Sequence, residues 1–94
     1  MNEELPTGLT LHRTTDEFDP ASVPRGLLRS HRIGRDVWGV LCVRAGTLRF
    51  VWEGATGPEA TVELEVGDSV VIPPEVPHRV EPGPDSRFVV EFYR

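Results

Sequence analysis

The sequence predicts an all-β domain, either a sandwich or a barrel, and three observations support this prediction. Short runs rich in Val, Leu, Ile and aromatic residues recur about every ten residues from Gly26 onward. Clusters of Gly, Pro and Asp separate these runs, as expected for tight turns. No segment keeps an apolar period of about 3.6 residues long enough for a helical bundle. We expect the 94 residues to form one domain, 1–94, with a loose tail over residues 1–8.

The first part of the chain is expected to be less regular than the rest. Residues 9–13 alternate between apolar and polar types, which is typical of an edge strand. Residues 14–24 carry several acids and two prolines and should form an irregular connection. Residues 27–33 are predicted to be the first firm strand, followed by a turn at 34–36. Residues 37–43 are apolar on both sides except for a glycine, so we expect a strand packed on both faces.

The second half of the chain repeats the pattern of strand and turn. The predicted strands cover residues 47–52, 60–66, 69–72, 77–81 and 87–93. Alternation places the Leu, Phe and Trp of the first of these on one face, which should be buried. In the second, Val62, Leu64 and Val66 alternate with polar residues and are predicted to face the core. The whole pattern amounts to seven or eight short strands.

Charge and composition exclude several classes of function. The net charge is −5, whereas a nucleic-acid-binding domain normally carries a basic face. No apolar run reaches the roughly 18 residues needed for a membrane span. Cys42 is the single cysteine, so neither an intrachain disulfide nor a cysteine-based zinc site is expected. We therefore expect a cytoplasmic protein that binds neither nucleic acid nor membrane.

The candidate chemistry lies with the few histidines. His78 follows a turn bounded by prolines, where the backbone can fix a ligand, and Glu75 lies three residues earlier in that turn. His31 lies near the end of the strand predicted over 27–33, which can face the strand bearing His78 if the sheet closes. Two imidazoles and a carboxylate suit Zn(II) or Fe(II), and also Mn or Ni. A structural or surface role for either histidine, and a solvated turn carboxylate for Glu75, stay open as alternatives. His12, on the expected edge strand, is predicted to be a structural or surface residue and not a ligand.

Two further residues are candidates for a ligand pocket. Arg29 shares strand parity with His31, and an arginine directed into a barrel must be paired or bind an anionic group. A surface salt bridge is the equal alternative for it. Trp38 follows the turn after His31 and is predicted to lie near the same pocket.

The segment from Gly67 to His78 carries a family resemblance. Its spacing is similar to the second sequence motif of the cupins, G-x5-P-x-G-x2-H, with Gly67, Pro73 and His78 on the fixed positions. Glu75 stands where that motif has its inner glycine. The resemblance implies a double-stranded β-helix, the jelly-roll barrel of cupins. The histidine positions of the first cupin motif hold no ligand here, and His31, two residues before one of those positions, is the candidate substitute.

A closer resemblance covers about three quarters of the chain, from Pro24 to Arg94. This part resembles the small cupins of the tellurite-resistance type, the TehB N-terminal and YeaR-like domains. In that family the polar positions expected to line the barrel match His31, Glu75 and His78. The residues that carry the resemblance are Pro24 to Leu27, His31, Val37 to Gly39, Gly46, Pro74-Glu75, His78 to Glu81 and Glu91 to Tyr93.

Residues and resemblance together predict a small cupin that binds a divalent metal in its barrel. Zinc is the first expectation for the metal, and iron, manganese or nickel are alternatives. The partner would be a small molecule, with anionic ones among the candidates, and the resemblance implies a role in stress or oxyanion response. A metal-dependent oxygenase or isomerase is one rival, and a metal-free interaction module is another. We also expect a homodimer, since the short chain has a strand edge to cover.

Overall fold

A computed structural model of the chain describes residues 4–29 and 31–94, and the regular secondary structure of these residues is almost entirely β-strand. The only helical segments in this part of the chain are two short 3-10 turns at Arg25–Leu28 and Pro58–Ala60. None of the described helices is long and apolar enough to cross a membrane. The strands are β1 (Leu11–Thr14), β2 (Trp38–Ala45), β3 (Thr47–Trp52), β4 (Thr61–Glu65), β5 (Ser69–Ile72), β6 (His78–Pro82) and β7 (Arg87–Tyr93).

These strands form two antiparallel sheets. One sheet has four strands in the order β1-β7-β2-β5, and the other has three in the order β4-β3-β6. The described strands do not close into a single barrel. An isolated bridge between His31 and His78 extends the smaller sheet beyond β6. The prediction of an all-β fold is confirmed, and β1 lies at the edge of its sheet, close to where residues 9–13 were expected to form an edge strand.

The core lies between the two sheets. Leu41 and Phe88 enter it from the larger sheet, and Leu48, Phe50 and Trp52 enter it from the smaller one, all at most 1% exposed. The predicted buried face of β3 is therefore confirmed. Burying a large apolar side chain stabilises the fold by about 1.5–3 kcal/mol, so residues from both sheets hold the sandwich together.

The chain crosses from one sheet to the other at Gly46, between β2 and β3. Its φ is 65°, a conformation that side chains disfavour. A Cβ at this position would lie 2.6 Å from the backbone carbonyl of Asp85, in the turn before β7. This position requires glycine, because the backbone of the turn between β2 and β3 contacts the backbone of the turn before β7 and leaves no room for a side chain.

Two predictions about strands are wrong. The expected strand over 27–33 is replaced by the 3-10 turn at Arg25–Leu28, after which only His31 makes a bridge. Leu27 packs against the core and Ile33 is part of it without either joining a strand, whereas Leu28 is 39% exposed. Residue type and spacing alone do not reveal this arrangement. Ser30, within the same prediction, lies outside the described residues, as do the first three residues of the expected tail. Val66 does not face the core, because β4 ends at Glu65 and leaves Val66 62% exposed.

Candidate functional site

Two histidines that are distant in sequence meet at the end of the smaller sheet. The backbone N–H of His31 donates to the carbonyl of His78 at 2.7 Å, and the N–H of His78 donates to the carbonyl of His31 at 3.0 Å. Residues that exchange both hydrogen bonds lie directly opposite each other, so their side chains point to the same face. The His31 Nδ1 lies 3.3 Å from the His78 Nε2. The structure thus brings together the two imidazoles that the sequence analysis proposed as partners.

The turn before β6 fixes the tautomer of His78. Its Nδ1 lies 2.9 Å from the carbonyl oxygen of Val76. A carbonyl can only accept, so the Nδ1 carries the hydrogen and donates it. In the neutral ring, the lone pair therefore belongs to Nε2, the atom that faces His31. A hydrogen bond of this kind orients the histidines of metal sites.

Aromatic side chains surround His78, which is 1% exposed. Its ring stacks on Phe50 at 5.3 Å with an interplanar angle of 17°. The Trp52 indole packs edge-on against it at 6.5 Å. The Trp52 Nε1–H is buried and has no hydrogen-bond partner among the described residues. The ring of His78 is therefore held in one orientation by packing on its face and its edge.

Burial keeps both imidazoles in their neutral form. It lowers the pKa of His78, the hydrogen bond to Val76 partly opposes this change, and the proximity of His31 lowers the pKa further. Burial also lowers the pKa of the half-buried His31. A neutral imidazole has one ring nitrogen with a lone pair that a metal ion can bind, and burial favours this neutral form in both rings.

The histidine pair lies at the wall of a cavity of about 180 Å³. Most of the lining is apolar and comes from both sheets and from the segment before β2. Among the described residues of the lining, Arg13 and Thr15 are the only ones with polar side chains besides the two histidines. The apolar lining includes Phe18, Leu27, Leu41, Ile72, Val90 and Phe92.

Sequence reasoning missed Arg13. Regular alternation in 9–13 would put Leu11 and Arg13 on the same face of the sheet. The register of β1 against β7 shifts between these two residues, so Leu11 lies opposite Tyr93 whereas Arg13 lies opposite Phe92. Neighbouring residues of β7 point to opposite faces, so this bulge turns Arg13 to the face of Phe92, which lines the cavity. Its guanidinium lies 5.3 Å from the centre of the Phe92 ring. A bulge arises from the pairing of a strand with its partner, so the alternation of apolar and polar residues in 9–13 could not predict it.

The two predicted pocket residues lie elsewhere. Arg29 is exposed, in extended backbone immediately after the 3-10 turn. Trp38 is half-buried and begins β2 opposite Tyr93. Neither is among the residues that line the cavity beside the histidine pair. Their predicted part in ligand binding stays a prediction.

Glu75 occupies an unusual backbone conformation. Its φ is 61°, and its N–H donates to the carbonyl of Ile33 at 2.9 Å, which ties the turn to the segment before β2. This positive φ gives a physical reason for the glycine that the cupin motif has at this position. The carboxylate is on an exposed residue, and the described part of the chain contains no cluster of three or more His, Cys, Asp or Glu arranged to hold a metal. The ligand role of Glu75 stays a prediction.

Comparisons with known proteins agree with this architecture. The sequence profile of the TehB-like domain family matches residues 13–90. A crystal structure of a protein from E. coli strain K12 superposes with a TM-score of 0.87 at 22% identity, covering 98% of this chain and 96% of that one. The crystal structure of TehB from Haemophilus influenzae superposes with a TM-score of 0.80 at 22% identity, covering 93% of this chain. The present chain spans only 32% of that TehB chain. No curated protein sequence matches.

Proposed function

Because the chain belongs to the TehB-like domain family, we propose that it is a small cupin that binds a divalent metal ion at His31 and His78. The two sheets would then be the halves of a cupin jelly roll, with the cavity between them as the binding site. One observation carries the proposal: the two facing ring nitrogens are 3.3 Å apart.

That distance is compatible with shared coordination as well as with a hydrogen bond. Two imidazoles bound to one tetrahedral ion by bonds of about 2.0–2.1 Å hold their nitrogens roughly 3.3 Å apart. His78 presents its Nε2 lone pair because the Val76 carbonyl holds the hydrogen on the other nitrogen. No carbonyl fixes the tautomer of His31 within the described residues, so its Nδ1 can lose its hydrogen to Nε2.

The donor set indicates the class of metal. Neutral imidazoles suit zinc, iron and nickel, and zinc is our first choice; manganese is a further alternative if oxygen ligands complete the site. Two histidines leave coordination positions for water, a bound ligand or Glu75. When bound, such an ion supplies Lewis acidity; the chain supplies the orientation of the rings and a largely apolar cavity that limits access of water.

Membership of the family also supports a biological setting. We place the protein in a stress or tellurite and oxyanion response, in which the domain binds a small molecule in its cavity. Its residues cover a minor part of the Haemophilus influenzae TehB chain, so the activity of that longer protein is not assigned to it.

Metal analysis of protein purified without an affinity tag tests the proposal. After chelation and repletion with Zn, Mn, Fe or Ni, we expect one ion per chain in the wild type. His31→Ala and His78→Ala should each lose it, because one imidazole cannot hold the ion alone. His12→Ala is the matched control, since His12 is exposed on β1.

Because His78 is fully buried, His78→Ala could also lower stability. His31→Gln keeps most of the volume at a half-buried site, and its loss of metal with an unchanged circular dichroism spectrum would assign the effect to coordination. Glu75→Gln should lower the affinity if Glu75 is a third ligand. A wild-type protein that binds none of the four metals would show the pair to be a hydrogen bond and the domain to be a metal-free module.

A further inference from the structure

We propose that the cavity binds a small monocarboxylate with an apolar body, with the carboxylate at Arg13 and the body inside. The inference rests on the proposed function only in that His31 and His78 line the same cavity. It names the chemical class of the ligand, and it predicts that a free inorganic oxyanion binds more weakly than this carboxylate.

The lining argues for an apolar body. Apart from Arg13, Thr15 and the two histidines, the lining residues that the structure describes are apolar side chains and a glycine. An inorganic oxyanion would lose its hydration to a wall that offers few donors, which is unfavourable. Engineered apolar cavities of about 150 Å³ hold benzene, so the volume of about 180 Å³ suits a body of roughly six carbon atoms.

Arg13 supplies the charge that such a ligand needs. Arg49, Arg79 and Arg87 each contact a glutamate, whereas Arg13 forms no ion pair with a carboxylate of the described residues. It is exposed, so it lies at the mouth of the cavity it lines. A guanidinium at the rim of an apolar cavity can receive a carboxylate through two parallel hydrogen bonds while the ligand body enters the cavity.

The position of Arg13 is a property of the fold. The bulge in β1 turns this side chain to the inner face of the sheet, and the Phe92 ring supports its guanidinium at 5.3 Å. The Thr15 hydroxyl, by contrast, already accepts from the N–H of Val90 and donates to the carbonyl of Asp16. Among the described lining residues, Arg13 is therefore the one with positively charged hydrogen-bond donors to offer an anionic head group.

A ligand series tests this inference on the full chain. Straight-chain monocarboxylates from acetate to octanoate, and benzoate, are titrated by calorimetry against sulfate, phosphate and tellurite. We expect the affinity to rise about fourfold per added methylene until the cavity is full and then to level off or fall. The three inorganic anions should bind at least tenfold more weakly than the best carboxylate. Equal binding of these anions, or no dependence on chain length, would overturn the inference.

The role of Arg13 is tested with hexanoate and its neutral amide. The wild type should prefer the carboxylate, and Arg13→Gln should lower its affinity about fivefold while leaving the amide unchanged. Arg35→Gln, at an exposed turn position away from the cavity lining, should keep the preference. An unchanged preference in Arg13→Gln would remove Arg13 from the site.

The location is read from methyl NMR signals of the wild type, which avoids any question of misfolding. Hexanoate should shift the methyl signals of Leu41, Ile72 and Val90, which line the cavity, and not those of Leu64, a core residue outside the lining. Shifts confined to other residues would contradict the assignment.

The titrations are run after chelation and again after metal repletion, which separates the two proposals. Carboxylate binding without any metal binding would leave this inference standing and reject the metal proposal. Metal binding at the histidine pair without carboxylate binding would do the reverse.

Discussion

At the scale of single residues, the pairing of His31 with His78 determines the chemistry of the site. The ring of His78 is fixed on three sides, by the Val76 carbonyl, the Phe50 ring and His31. His31 has fewer constraints, since it is half-buried and its other ring nitrogen makes no hydrogen bond among the described residues. The pair therefore combines one rigid imidazole with one whose tautomer can change.

The lowered pKa values of this pair predict acid sensitivity of the metal-free protein. Both folded-state pKa values lie below the ordinary 6.5, so the unfolded chain takes up protons first as the pH falls. The free energy of unfolding should be constant with respect to these groups above pH 6.5 and decrease below it, by at most about 1.4 kcal/mol per pH unit for each proton.

Urea unfolding in the presence of a chelator, between pH 7.5 and 5, measures this dependence. His31→Gln should flatten the decrease, because one of the two groups is removed. His12→Gln should leave it unchanged, as His12 is exposed on β1. A free energy of unfolding that rises on acidification through this range would contradict the burial of neutral imidazoles.

At the scale of elements, the close approach of two turns joins the sheets. Gly46, between β2 and β3, meets the backbone of Asp85, and Gly83, after β6, would place a Cβ 2.7 Å from the carbonyl oxygen of Thr47. Through these contacts, the turn that joins β2 to β3 packs against the turn that joins β6 to β7. The ion pairs on the outer face, such as Arg49 with Glu63, are exposed, so screening by solvent leaves them only a small part in the stability of the fold.

Gly46→Ala should destabilise the domain by at least about 2 kcal/mol. The substitution combines a positive φ with an overlap against backbone atoms that cannot move aside. Gly54→Ala is the control, since a Cβ there meets nothing within 4 Å and its effect should stay within about 0.5 kcal/mol. Thermal and urea unfolding measure both; equal stability of the two variants would show that the turns can separate.

At the scale of the whole molecule, β1 leaves one edge of the larger sheet available. The strand is exposed along its length, and Leu11 is 50% exposed on it. An exposed edge strand of this kind is a site where a second chain can add. The expected homodimer would use this edge.

Light scattering should give twice the 10.5 kDa mass of the chain at micromolar concentration. Leu11→Lys should shift the protein to the monomer, because a charged lysine opposes pairing at an edge. Val66→Lys, at an equally exposed apolar residue outside the strands, should remain dimeric. A monomeric wild type would reject the dimer, and a dimeric Leu11→Lys would move the interface away from β1.

Much of the architecture could be predicted because it depends on local patterns. Alternation and turn residues gave β3, β5 and β7 with their observed bounds, and the motif spacing placed His78 at the start of β6. Predicting the buried face of β3 required only the period of two along a strand. The prediction failed over 27–33, where the chain forms the end of a 3-10 turn and a single bridge. A local pattern does not show whether a leucine belongs to a strand or to such a turn.

The sequence alone therefore determined the all-β class and the positions of most strands along the chain, and it indicated His31 and His78 as candidate partners. Only the tertiary structure decided that the two rings face each other across a backbone bridge, and that Arg13, not Arg29, lines their cavity. The reason is physical: strand periodicity is encoded between neighbours in the chain, whereas a bridge and a bulge arise from registers between segments that are distant in sequence.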